Sequence, residues 1–377
     1  MKCVLFYHAF TSCWNNGNAH FLRGYAREFQ ALGHEVVVYE PIDGWSRLNA
    51  IREGGSHDAM EDIPTLFPGI DIRRYDTSLD LERALDGADL VIVHEWNSPD
   101  LIAQIGCRRA QGARFTLLFH DTHHRAVSAP EELAQFDLDG FDGVLAFGEV
   151  LRQIYLKLGW ADRAFTWHEA ADVALYHPLP QVERTDDLVW IGNWGDGERS
   201  AELNEFLVEP AAELNLRTSV YGVRYSDDAL RTIRSAGIRY GGWLPAHRAP
   251  IAFAGARTTI HVPRGPYVRL LPGIPTIRVF EALACGIPLV SAPWSDAEGM
   301  FPDGAYLSVA DGTQMKRALR SVREDRDMSA AMVNAGLKTI RDHHTCRHRA
   351  EQLVGIVADI RESGRPSQPQ HHIGAVA

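Results

Sequence analysis

The sequence predicts an α/β protein of two Rossmann-like, doubly wound domains facing a central cleft. Its 377 residues suit about two domains at roughly 100–200 residues each. Short apolar runs alternate with stretches of helical periodicity along almost the whole chain, the pattern left by parallel strands buried on both faces and separated by helices. The alternation breaks once, over Tyr176-His177-Pro178-Leu179-Pro180 and the polar Gln181–Asp187, and then restarts. A boundary there gives domains over 1–178 and 179–362, with 363–377 a tail rich in Pro, Gln, His and Gly that is expected to be disordered.

The elements follow in order. Val4–Tyr7 reads as a buried strand; Phe21, Leu22, Tyr25, Phe29 and Leu32 share one helical face, Gly33 ends that helix, and Val36–Tyr39 is the next strand. Ile70–Tyr75, Leu90–Val93, Phe115–Phe119 and Val144–Phe147 continue the first sheet, with helices such as Pro99–Ala110 between them. The second half repeats the pattern with Leu188–Ile191, Thr218–Tyr221, Thr258–Val262, Pro288–Ser291 and Tyr306–Val309, then three helical stretches from Gln314 to Ile360. The last of these is placed to cross back to the first domain. In open parallel sheets ligands sit beyond the carboxyl ends of the strands, so residues just after each strand are the candidates for chemistry.

Composition narrows the function. With 45% hydrophobic and 23% charged residues, the chain is neither collagen-like nor wholly disordered. A net charge of −11 argues against a protein that tracks a nucleic-acid backbone, so any anion must be held locally. Lys2, Lys157, Lys316 and Lys338 are the only lysines, so arginine is spread throughout and a single arginine says little. The five cysteines form no C-x-x-C pair, which argues against a disulfide framework or structural zinc. The N-terminal apolar run turns polar at Thr11-Ser12, and no stretch approaches the roughly 18 apolar residues of a membrane span. A cytoplasmic location is expected.

The most informative stretch is Gly273 to Val290. Pro275 suits a first helical turn, Gly286 a helix end, and Pro288 blocks continuation, so a short helix precedes a strand. Unpaired N–H groups at a helix start attract anions, and Arg278 shares a face with Glu281. Arg278 and the helix start, with Thr276, can hold a diphosphate while Glu281 accepts ribose hydroxyls; an exposed intrahelical ion pair is the plain alternative. On the ligand reading, Glu281→Ala is expected to weaken nucleotide binding and leave the fold intact.

Arg278, Phe280, Glu281, Ala282, Ala284, Gly286 and Pro288 match the pattern Arg-x-Phe-Glu-Ala-x-Ala-x-Gly-x-Pro, and the stretch resembles the nucleotide-sugar signature of GT-B glycosyltransferases, particularly the family-4-like and CgeB-like groups. The resemblance implies a ribose-binding role for Glu281. Many family-4 enzymes carry a sugar-binding glutamate eight residues earlier, but that position here is Gly273, which leaves the sugar and the retaining mechanism open. Leu188 to Arg199 resembles the first donor-domain strand and its glycine-containing loop, which makes Gly192, Asn193 and Arg199 candidate phosphate contacts. Tyr240-Gly241-Gly242-Trp243-Leu244-Pro245 resembles the segment flanking the nucleobase, giving Trp243 and Leu244; a turn with a core tryptophan explains it equally well. Arg269 lies in a loop expected to face the cleft, whereas Arg264 in the same loop is expected to be solvated.

The first domain should hold the acceptor. Trp14, Gly17 and Asn18 follow the first strand, where GT-B enzymes place a loop near the reacting sugar; Asn18 also suits a helix cap. His120-Asp121 resembles the strand-end histidine of family-4 enzymes, and an inverting reaction would need a base, for which Glu95, Asp121 and His20 are available. Asp137-Leu138-Asp139 is formally a metal-binding D-x-D, but a turn is the simpler reading and the resemblance implies no metal and no cofactor beyond the nucleotide sugar. No strongly basic amphipathic helix stands out, which favours a soluble acceptor. The implied activity is metal-independent sugar transfer from a nucleotide donor to an acceptor hydroxyl. An epimerase or hydrolase of the same fold, or a non-catalytic sugar-nucleotide binder, remains the alternative. A dinucleotide dehydrogenase is disfavoured because Val4–Tyr7 is not followed by G-x-G-x-x-G.

Overall fold

The computed structural model describes residues 1–363 except 54, 55, 196 and 198, and of 56–59 it describes the backbone alone. Asp196 and Glu198 of the expected donor loop, and the tail from 364 with His371-His372, lie outside the described residues. Strands β1 (Lys2–Phe6), β2 (Glu35–Pro41), β3 (Asp71–Tyr75), β4 (Leu90–His94), β5 (Thr116–Asp121), β6 (Gly143–Ala146) and β7 (Ala164–Thr166) form one sheet in the order β3-β2-β1-β4-β5-β6-β7. Strands β8 (Asp186–Ile191), β9 (Thr218–Tyr221), β10 (Arg239–Tyr240), β11 (Ala256–His261), β12 (Leu289–Ser291) and β13 (Leu307–Ser308) form the second, in the order β10-β9-β8-β11-β12-β13. Every pairing in both sheets is parallel. The expected strands are present. The sheets gain β7 and β10, edge strands of three and two residues that are too short to leave a periodic signal.

The central strands are buried on both faces, as their unbroken Val, Leu and Ile runs require. Helix Ala19–Ala31 turns Phe21, Leu22, Tyr25 and Phe29 onto the first sheet. Among the described residues no helix is long and apolar enough to cross a membrane.

The chain passes between the halves twice. The first crossing runs from Trp167 to the start of β8, and the second lies between helices Arg326–His343 and Cys346–Ser363. The last helix packs on Ala19–Ala31 of the first half, although its residues fall within the 179–362 span. The two crossings are bonded to each other: the Ala171 N–H donates to the His344 carbonyl and the Cys346 N–H to the Ala171 carbonyl, both at 2.9 Å, in a single parallel bridge. Trp167 Nε1 donates to the Arg349 carbonyl at 2.9 Å, and Arg349 Nε to the His168 carbonyl at 2.9 Å.

Gly24 makes this junction possible. A Cβ there would lie 2.6 Å from both Asp172 Cβ and Cys346 Sγ, one atom on each crossing. Gly24→Ala is therefore expected to destabilise the fold by about 1–3 kcal/mol, the usual cost of overpacking a tight core, despite the better helix propensity of alanine. Equilibrium urea denaturation measures it.

Candidate functional site

A cavity of about 190 Å³ lies beyond the carboxyl ends of β8 and β11, where the two halves meet. Gly192, Asn193, Arg199, Trp243, Leu244, Thr276 and Arg278 line it from the second half, and Cys13, Asn15, Asn16 and Gly17 from the first. Three arginines, Arg199, Arg264 and Arg278, reach its wall, and no carboxylate does among the described residues. In a chain of net charge −11, that is a local anion-attracting surface. Helix Ile277–Cys285 starts at this wall and ends, as its sequence implies, with Gly286 in the left-handed conformation at φ 65°. Pro275 precedes the helix instead of opening it, because Thr276 takes the N-cap position.

Two expected donor residues stand elsewhere. The segment expected as a loop coils into a short helix, Gly265–Arg269, led by Pro266. That coiling turns Arg269 out to solvent and drives Tyr267 into the apolar cluster of the first half, while Arg264, expected in solvent, takes the cavity wall. Glu281 is fully buried, one layer behind Arg278. Its Oε2 pairs with the Arg278 guanidinium, and its Oε1 accepts from His20 Nδ1 at 2.9 Å. Burial alone would raise the carboxyl pKa, but Arg278 and His20 outweigh it and hold the group below its usual value. In this geometry Glu281 orients the arginine that faces the cavity.

His20 is correspondingly committed. The Asp172 N–H can only donate, and it lies 2.7 Å from His20 Nε2, so Nε2 is the bare nitrogen and Nδ1 carries the proton given to Glu281. Burial lowers its pKa and keeps the ring neutral, and Tyr176 stacks on it at 3.8 Å between centroids. No lone pair of His20 is left for an acceptor hydroxyl.

The other candidate bases are enclosed as well. Glu95 accepts from the Thr122 N–H at 2.8 Å and pairs with Arg125 at 2.8 Å; Asp121 accepts from Tyr155 Oη at 2.8 Å and the His123 N–H at 3.0 Å. Burial, then the neighbouring Glu95, pushes the Asp121 carboxyl well up. His120 is buried among Tyr7, Phe21, His94 and Trp167, with neither ring nitrogen hydrogen-bonded among the described residues, and burial lowers its pKa to about 3. The strand-end rule located these residues at the correct end of the sheet. It does not register that Arg125, Tyr155 and Trp167, from later in the chain, cover that end.

Asn18 is not a side-chain cap: its Nδ2 donates to Thr122 Oγ1 at 2.6 Å, tying the loop after β1 to the end of β5. Trp14 is buried and meets the exposed Trp45 edge to face at 4.8 Å. A Cβ on Gly17 would fall 2.9 Å from Ile277 Cγ2, so glycine is what lets this loop touch the signature helix. Gly273 has φ 91°, and a Cβ there would lie 2.7 Å from Glu298 Cγ. The Glu298 carboxylate fills that space and accepts from the Glu149 N–H at 2.9 Å and His168 Nε2 at 2.8 Å, joining the halves. Asp137 and Asp139 form the expected turn, the Asp139 N–H donating to Asp137 Oδ1 at 3.2 Å.

The sequence reading gave no chemical role to Trp190 and His261, which line the cavity, or to Glu169, which is 3% exposed just after β7. Burial, followed by the charge of Glu281, pushes the Glu169 carboxyl up to about 8, and its Oε1 has no partner among the described residues.

Two parallel α/β sheets enclosing such a cleft define the GT-B glycosyltransferase architecture, and this chain has that fold. Residues 199–355 match a family model described as glycosyl transferase-like. Among solved structures, the chain is similar to HepE from Anabaena in complex with UDP-glucose, at 12% identity and a TM-score of 0.68 over 95% of this chain and 100% of that one. It is also similar to sucrose-phosphate synthase from Thermosynechococcus elongatus, at 14% identity and 0.64 over 96% and 100%. An alpha-glucosyltransferase in complex with UDP-glucose and DNA containing an abasic site matches at 11% and 0.67 over 95% and 99%. No curated protein matches by sequence.

Two outcomes follow from the buried charges. Glu281→Ala, contrary to the expectation for a surface glutamate, should lower folding stability by about 3 kcal/mol or more, since it strands a buried guanidinium; thermal and urea denaturation measure the loss. Glu169 has a folded pKa of about 8 against an ordinary carboxylate value in the unfolded chain. Its contribution is therefore fully favourable below that unfolded value and is lost as pH rises toward 8. Glu169→Gln should flatten the fall in stability between about pH 5 and 8, checked by comparing the two proteins' denaturation midpoints across that range.

Proposed function

We propose that the protein transfers a sugar, of the hexose type, from a nucleoside-diphosphate sugar to the hydroxyl of an acceptor, without a metal ion and as a cytoplasmic enzyme of the CgeB-like group. The observation that carries the reading is the cavity wall itself: Arg199, Arg264 and Arg278 line one cavity beside the start of Ile277–Cys285, and Glu281 behind the wall holds Arg278 toward it. A diphosphate neutralises that wall, and arginine forks bind phosphate oxygens in pairs. Trp243 and Leu244 at one side offer an apolar surface for a base. The match of residues 199–355 to a glycosyl transferase-like model supports this reading, as do similar structures described as complexes with UDP-glucose.

The chain's own residues bind, orient and exclude water. Glu281 holds Arg278 in place, and Gly17 brings the first-half loop against the helix start. His20, Glu95 and Asp121 are each occupied by internal partners, which favours a reaction in which the departing diphosphate takes the acceptor proton and the anomeric configuration is retained.

Isothermal calorimetry with a panel of nucleoside diphosphates and their sugars should find one tight binder, and Arg278→Ala should weaken it by about tenfold or more, the size of a lost charge-assisted phosphate contact. Nucleoside diphosphate release that depends on an added acceptor would establish transfer. Release without one would favour a hydrolase, and binding with no turnover a carrier.

A further inference from the structure

His261 closes β11 and lines the cavity, yet no role has been given to it. Its ring is held in one tautomer. Ser291 Oγ lies 2.8 Å from the Ala292 carbonyl, which can only accept, so the serine hydroxyl spends its single hydrogen there. Ser291 Oγ also lies 2.9 Å from His261 Nδ1, and with its hydrogen already used it can only accept from that nitrogen. The proton therefore sits on Nδ1, and Nε2 is left as a bare lone pair. β11 and β12 run in register at this point, His261 opposite Ser291, so the contact is built into the sheet.

Nε2 is buried and has no hydrogen-bond partner among the described residues. An acceptor of this kind is costly to bury unmatched. Burial, and then the nearby charge of Arg199, lowers the pKa of the ring to about 3, so it stays neutral and is a weak base at physiological pH. It can accept a hydrogen bond but is not suited to removing a proton. Phosphate oxygens at neutral pH have no hydrogen to offer it. What the arginine-lined cavity can bring to a lone pair is an O–H of the sugar nucleotide.

We propose that His261 is a specificity-determining residue: its Nε2 accepts a hydrogen bond from a hydroxyl of the bound sugar nucleotide, and Ser291 is the positioning residue that fixes the tautomer. This rests on the transferase reading for the ligand, but not for the tautomer. A site that has paid for a buried lone pair rejects a ligand lacking the matching hydroxyl, whereas it gains little from one that merely fits.

Two measurements on the full chain test this. Nitrogen-15 NMR of the free protein should show His261 protonated on Nδ1 and bare on Nε2 from pH 6 to 8, with Ser291→Ala releasing the ring into a mixture of tautomers. A proton on Nε2 in the wild type would overturn the proposal whatever the protein binds. In the second, affinities are compared for UDP-glucose, for its 2′-deoxyribose analogue, and for analogues deoxygenated singly at each hexose carbon. If UDP-glucose does not bind, the same series is made on the nucleotide sugar found by calorimetry. The wild type should bind one analogue about tenfold or more weakly than the parent, and His261→Phe should bind that analogue and the parent alike. The ribose and hexose arms identify which hydroxyl is read. Retention by His261→Phe of the full wild-type discrimination, with parent affinity preserved, would assign His261 to packing alone. Failure of every nucleotide to bind the wild type would instead defeat the transferase reading, leaving the tautomer result to stand on its own.

Discussion

The buried carboxylate of Glu281 is the contact around which the two halves are arranged. It lies on the helix Ile277–Cys285 of the second half, and it joins an arginine of the same helix to a histidine of the first. Neither half could bury its part alone, since an unpaired carboxylate or guanidinium out of water is far costlier than the pair. The arrangement propagates outward. His20 is pinned by the Asp172 amide on the first crossing, and its helix packs against the last helix of the chain. One ionic cluster thereby orients the cavity wall, the loop at Gly17 and the junction of the crossings.

Much of the architecture was legible because parallel strands buried on both faces need an apolar run, and β1, β4, β5 and β8 each carry one over Cys3–Phe6, Leu90–Val93, Leu117–Phe119 and Leu188–Ile191. The proline-rich and polar stretch near residue 180 lies between β7 and β8, outside both sheets. β7 and β10 were not legible, because Ala164–Thr166 and Arg239–Tyr240 are short edge strands only partly buried and without an apolar run around them. The signature helix could be read from Pro275, Gly286 and Pro288, since caps and breakers are local chemistry. What it could not reveal was depth. Spacing puts Arg278 and Glu281 on one face, but only the packing of Tyr176 and His20 against that face decides that the arginine reaches the cavity and the glutamate does not.

The same limit explains the candidate bases. Residues at the carboxyl ends of β4 and β5 were sought as bases, yet Glu95, His120 and Asp121 are sealed by Arg125, Trp167 and Tyr155, which come from later in the chain. Arg264 and Arg269 exchanged roles for a related reason: five residues coiled into a helix where a loop was expected, which rotates each side chain by about 100° per residue. Glu298 shows long-range compensation, filling from the loop after β12 the space that Gly273 leaves empty.

The paired crossings at Ala171 and Thr345 have a mechanical consequence. A single linker lets two bodies twist and swing freely about it, whereas two straps bonded side by side resist torsion, as a door on two hinges does. The remaining soft motion is a swing about the line through the bridge. Such a swing parts the rim of the cavity most and the buried junction at Gly24 least.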